Sequence, residues 1–161
     1  MVPPKFSKTG DGEVTFRYYS DSSCSASMNQ PINAGQYYVR VNMNSGMNYN
    51  GASSECVKYT IDKYKTSVSW NSGSSFTYNG KEQGPTASYY STYGNVMMNT
   101  TKAINAGTYT SEATCVDGGT TQTLCSNYDF SGAQMTKNYN INKSSVSIKG
   151  VDSIYNLSYP I

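Results

Sequence analysis

The chain has 161 residues, 37% of them hydrophobic and 14% charged, with 16 tyrosines, no histidine and a formal net charge of +2. Lysines scattered singly leave no basic stripe for nucleic acid, and no stretch approaches the roughly 20 apolar residues of a membrane-spanning helix. Without histidine, Ser-His-Asp and Cys-His catalytic arrangements are excluded.

The opening Met1-Val2-Pro3-Pro4 leads into no apolar run of the kind that marks a signal peptide, and it reads as a start placed inside a longer protein. Strand patterns follow. Val14–Tyr19 alternates in part, residues 37–43 alternate clearly, and Val57–Ile61, Val68–Trp70 and residues 76–78 alternate as well. Turn signals fall between them at Asp11-Gly12, Ser45-Gly46, Asn50-Gly51, Ser72-Gly73, Asn79-Gly80 and Asp117-Gly118. No window carries a helical apolar stripe. Short strands punctuated this way predict an all-β fold of the antiparallel β-sandwich kind.

An internal repeat organises the chain. Ile32-Asn33-Ala34-Gly35-Gln36-Tyr37 returns as Ile104-Asn105-Ala106-Gly107-Thr108-Tyr109, displaced by 72 residues. Asn48-Tyr49 has a looser partner in Asn127-Tyr128. Tyr59-Thr60-Ile61-Asp62-Lys63 returns as Tyr139-Asn140-Ile141-Asn142-Lys143, displaced by 80, and Ser67-Val68-Ser69-Trp70 as Ser145-Val146-Ser147-Ile148, displaced by 78. The growth in displacement places an insertion in the second copy between Tyr109 and Tyr128. In the Asn-Ala-Gly-x-Tyr motif, Gly35 and Gly107 are expected to supply a positive φ, while Ala34 and Ala106 leave no bulk. Tyr37 and Tyr109 are expected to bury their rings and reach backbone with their hydroxyls.

Four cysteines divide two and two. With neither Cys-x-x-Cys nor histidine, zinc and thioredoxin-like chemistry lose their usual ligands. Intra-domain disulfides in an oxidising compartment are the reading adopted, with four buried free thiols as the alternative. Cys115–Cys125 would staple a hairpin turning at Asp117-Gly118-Gly119. Cys24 and Cys56 pair as the remaining two.

These landmarks resemble the bacterial immunoglobulin-like repeats of the MBG and YDG type. The resemblance rests on Tyr78-Asn79-Gly80-Lys81, Ile104-Asn105-Ala106-Gly107-Thr108-Tyr109, Tyr128-Asp129-Phe130-Ser131-Gly132 and Tyr139-Asn140-Ile141-Asn142-Lys143 in the second copy. In the first it rests on Ile32-Asn33-Ala34-Gly35-Gln36-Tyr37 and Asn48-Tyr49-Asn50-Gly51. It implies a stalk or spacer within a large cell-surface protein such as an adhesin, only some arrays of which bind a ligand. The cysteines and the second-copy insertion depart from the family pattern, and the first copy lacks the opening Val-x-Trp…Tyr-Asn-Gly part.

The expected organisation is two tandem immunoglobulin-like antiparallel β-sandwich domains, residues 1–63 and 64–143, followed by a strand segment at 144–161. The first domain would lack its opening strands, and 144–161 would be the first strands of a further repeat or a donor-strand-like tail. The tail could instead stay within its own molecule. The acidic residues are dispersed, with no EF-hand loop and no phosphate loop, so no metal, cofactor or enzymatic activity is expected. Tyr89, Tyr90 and Tyr93 are the candidate binding surface, because an aromatic doublet on a strand sends one ring outward. The favoured function is a non-catalytic stalk or filament-forming segment outside the cell, partnered by neighbouring repeats or other copies of itself. The alternative is an adhesin module recognising glycan or host protein.

Overall fold

In the computed structural model, which describes residues 4–92 and 94–150, one cross-strand register occurs twice. In the first copy Gly35 faces Ile61 and Tyr37 faces Tyr59. In the second, Gly107 faces Ile141 and Tyr109 faces Tyr139. The sequence repeat is therefore a repeat of structure, and the described residues build an all-β architecture around it.

The first sheet holds β1 (Val14–Tyr19), β2 (Ser27–Met28), β3 (Gly35–Met43), β4 (Ala52–Ser53) and β5 (Val57–Ile61). β3 is central, antiparallel to β1 on one side and to β5 and β4 on the other. Alternation gathers Phe16, Tyr18, Val39, Val41, Val57 and Tyr59 on one face. Val39 and Tyr18 are buried there, with the Tyr18 and Tyr59 rings 5.9 Å apart. Cover is incomplete elsewhere on this face. Phe6 meets Phe16 edge-on at 5.5 Å, and an open groove of about 290 Å³ lies among Phe6, Val14, Val41 and Met43.

The second unit contributes β6 (Tyr64–Lys65), β7 (Val68–Trp70), β8 (Ser75–Thr77), β9 (Ala87–Ser91), β10 (Gly94–Thr100), β11 (Gly107–Thr114), β12 (Tyr128–Asp129) and β13 (Thr136–Asn142). Six of them form one sheet in the order β7-β9-β10-β11-β13-β8. Its two edges, β7 and β8, are consecutive in the chain. From Trp70 to Ser75 the backbone reaches at most about 18 Å, whereas the edges of a flat six-stranded sheet lie about 24 Å apart. The sheet must curl, and it does so at β10, which pairs with β9 up to Met98 and with β11 at Asn99 and Thr100. The curl encloses Ala87, Tyr89, Met98, Ala113 and Tyr128, with Trp70 and Phe130 packed against them. Tyr89 meets Tyr128 at 4.9 Å and Phe130 at 5.3 Å, both edge-on, a favourable aromatic geometry.

Both disulfides form, Cys24–Cys56 and Cys115–Cys125, each with Cα atoms 6.0 Å apart. The second does not staple a hairpin. Between its cysteines the Asp117 carboxylate accepts the Cys125 N–H at 2.7 Å, and the Gly118 N–H donates to the Thr123 carbonyl. The loop closes on itself through these bonds and forms two 3-10 turns, Thr121–Thr123 and Cys125–Asn127, in place of a strand ladder. Residues 144–150 carry no strand, and Val146 and Ile148 are 93% and 91% exposed. The described part of the tail therefore completes neither unit of its own molecule. The rest of the expected strand segment, 151–161, lies outside the described residues.

Burial raises the pKa of the Tyr18, Tyr89 and Tyr139 hydroxyls above the ordinary 10.0, because the phenolate would lose its hydration. A raised folded-state value means the contribution is complete below pH 10 and is lost as pH rises through the folded values. The thermal midpoint should hold steady from neutral pH to about pH 10 and fall beyond it. A midpoint that keeps its neutral value well above that pH in differential scanning calorimetry would exclude this coupling.

Candidate functional site

Each Asn-Ala-Gly-x-Tyr motif forms a closed corner. The Tyr37 hydroxyl donates to the Asn33 carbonyl at 3.1 Å and the Tyr109 hydroxyl to the Asn105 carbonyl at 2.9 Å. The glycines serve this corner differently from the sequence expectation. Neither Gly35 nor Gly107 has a positive φ. Instead, a Cβ at Gly35 would sit 3.0 Å from the Tyr37 hydroxyl oxygen, and one at Gly107 3.1 Å from that of Tyr109. The motif needs glycine because the tyrosine two residues on folds back over it. Ala34 and Ala106 are both partly buried.

The first corner lies where the two units meet. β5 ends at Ile61, and β6 then pairs in parallel with β12, Tyr64 opposite Tyr128 and Lys65 opposite Asp129. The Thr66 N–H donates to the Asp129 carbonyl at 3.1 Å, and the buried Thr66 hydroxyl donates to the Tyr90 carbonyl at 2.7 Å. Across the junction, Asn127 Oδ1 accepts the Ala34 N–H at 2.7 Å. Its Nδ2 donates to Asn33 Oδ1 at 3.0 Å and to the Thr121 carbonyl at 2.8 Å. One side chain thus fastens the corner of the first unit to the inserted loop of the second. A small cleft of about 180 Å³ remains beside it, between Ile32, Ala34 and Ile61 on one side and Tyr64, Gln122 and Tyr128 on the other.

The proposed tyrosine surface is not held together. Tyr89 is fully buried in the aromatic core, a correction that follows from strand alternation: Tyr89 takes the inward place and Tyr90, 52% exposed, the outward one. Tyr93 lies outside the described residues. The doublet Tyr18-Tyr19 departs from that alternation, both members being buried. Inside the core the Tyr89 hydroxyl has no hydrogen-bond partner among the described residues. Tyr89→Phe should therefore leave stability unchanged or raise it by about 1 kcal/mol, since an unmade buried bond is removed. Tyr90→Ala should change it by no more than about 0.5 kcal/mol. Urea midpoints of the two variants check both.

Among the described residues no group of three or more Cys, Asp or Glu side chains could hold a metal ion, and no helix is long and apolar enough to cross a membrane. The densest polar knot is structural. Asp21 accepts the backbone N–H groups of Ser23, Ser25 and Ala26 and the hydroxyls of both serines, which hold its carboxyl well below the usual range and close the β1–β2 turn. Lys63 and Lys143, at the ends of the two repeats, are exposed. Sequence reasoning missed Asn127 and Thr66. The loose pairing of Asn127-Tyr128 with Asn48-Tyr49 singled out the position without its role.

Compared with family models, with curated proteins and with solved structures, the chain gives no match in any of the three.

Proposed function

We propose that this chain is a non-catalytic stalk or spacer segment of an extracellular surface protein, made of tandem immunoglobulin-like units of the MBG and YDG type. The observation that carries this reading is the junction. Only Asp62 and Lys63 separate β5 from β6, and Asn127 bonds across to Asn33 and Ala34. A spacer has to transmit direction from one unit to the next, and a short link with a hydrogen-bonded lock does so. Two disulfides suit an oxidising compartment. Burial of Tyr89 takes one ring out of the aromatic surface on which a glycan- or protein-binding reading leaned, while Tyr90 stays exposed.

The test is 15N relaxation of the full chain, combined with titration by mucin-type glycans. A spacer should show one rotational correlation time for both units and no saturable binding. Independent tumbling of the units, or saturable binding at a single patch, would refute it.

A further inference from the structure

The second unit shows how a repeat uses its opening segment. After β7 the chain crosses over and runs β8 parallel to β13, with Ser75, Phe76 and Thr77 opposite Asn140, Ile141 and Asn142. The Asn140 N–H donates to the Ser74 carbonyl, and the Tyr78 N–H to the Asn142 carbonyl, each at 2.9 Å. Phe76 lies edge-on over Tyr139 at 5.8 Å, and Tyr139 and Ile141 are only 3% and 2% exposed.

Among the described residues the matching edge of the first unit is unpaired. The shared register makes β5 the counterpart of β13, so Thr60, Ile61 and Asp62 stand where Asn140, Ile141 and Asn142 stand. Among the described residues no strand pairs with the outer edge of β5. Tyr59 and Ile61 are only partly buried, and Val57 is 51% exposed. Because Asn140 aims its N–H away from β11, Thr60 aims its own away from β3, into the empty edge. An unpaired edge beside an uncovered apolar face is a template for another strand.

The chain carries a strand of the right kind. Displaced by 78 residues, Ser67-Val68-Ser69-Trp70 becomes Ser145-Val146-Ser147-Ile148, and Ser75-Phe76-Thr77 becomes Ser153-Ile154-Tyr155. Val146 and Ile148, whose counterparts Val68 and Trp70 pack on the second core, lie almost fully exposed. We propose that copies of this chain join head to tail by strand addition, residues 144–155 of one completing the first unit of the next. The displacement of 78 residues sets positions 153–155 of one copy against Thr60, Ile61 and Asp62 of the next, as Ser75, Phe76 and Thr77 stand against Asn140, Ile141 and Asn142. The joint is heterologous, so each copy keeps one free donor and one free edge and successive joints extend an open chain. This rests on the spacer reading and supplies its partner, a second copy.

Two variants of the full chain test it. Thr60→Pro removes the outward N–H and leaves the β3–β5 ladder its bonds, as proline on an edge strand allows. Ile154→Asp places a charge where the joint needs an apolar side chain and alters no described residue. In sedimentation velocity from micromolar to millimolar concentration, the unaltered 17.6 kDa chain should grow into dimers and longer species. Each variant alone should associate at least tenfold more weakly with an unchanged thermal midpoint. Their equimolar mixture should form dimers and stop there, because only one working donor and one working edge remain. A chain that stays monomeric at millimolar concentration, or an Ile154→Asp variant that associates like the original, overturns the joint. Either result would leave the relaxation and glycan measurements, and so the spacer reading, untouched.

Discussion

Replacing Cys24 and Cys56 together by alanine is expected to destabilise the first unit so far that it unfolds well before the second. The bridge runs from the β1–β2 turn to the residue just before β5, and so ties together the two strands that flank β3. It closes a span of 32 residues, which on loop-closure grounds is worth about 4 kcal/mol. That is most of the stability of a domain at the low end of the usual range of about 5 to 15 kcal/mol. The first unit has little else to draw on. Among the described residues its buried apolar side chains are Tyr18, Tyr19, Pro31, Val39 and Cys24 itself, and one of its edges is unpaired. Cys24 also takes φ +53, a left-handed conformation in which a non-glycine residue needs outside support. The Cys115–Cys125 bridge spans 10 residues, worth about 3 kcal/mol, and belongs to a unit with a closed core. Urea unfolding of the Cys24→Ala/Cys56→Ala variant should split into two transitions, with hydrogen exchange protection lost first in β1, β3 and β5. A single transition at the original midpoint would refute this account.

How far the sequence revealed the fold depended on what fills the inward positions of each strand. β1, β3, β5, β7 and β8 were legible because Phe16, Val39, Val41, Tyr59, Val68 and Phe76 alternate with polar neighbours. β9 was not, because Ala87 and the fully buried Ser91 hold inward places beside Tyr89 and give no apolar rhythm. The corner tyrosines were legible from the repeat alone. The reason for their glycines was not, since the fold-back of a ring over Cα leaves no trace in a turn motif. The insertion was located correctly and misread as a hairpin. Asp-Gly-Gly favours a tight turn locally, but the Asp117 carboxylate reaches eight residues along the chain to Cys125 and closes a wider loop. That loop delivers Asn127 to the junction, so the least familiar segment of the sequence builds the contact on which the spacer reading depends.

Asn127→Ala is expected to uncouple the two units without unfolding either. The substitution leaves the Ala34 N–H, Asn33 Oδ1 and the Thr121 carbonyl without the bonds they now make. Two of these bonds cross the junction, so at about 1 kcal/mol each it weakens by about 2 kcal/mol, enough to let a closed joint open often. The β6–β12 pair stays within the second unit, so the units remain joined through Asp62 and Lys63 and swing about that link. In 15N relaxation the single correlation time should divide into two, while each unit keeps its chemical shifts away from the junction. Asn127→Asp separates the two halves of the lock. Its carboxylate still accepts the Ala34 N–H, but it faces Asn33 Oδ1 and the Thr121 carbonyl with an acceptor where a donor stood. Ionised, it should be as loose as the alanine variant. That repulsion raises the carboxyl pKa in the closed state, so closure is penalised above it and restored as pH falls through it. The aspartate variant should therefore regain coupled tumbling below about pH 5 while the alanine variant does not. Equal behaviour of the two variants at acid pH would show that the donor half of Asn127 contributes nothing to the alignment.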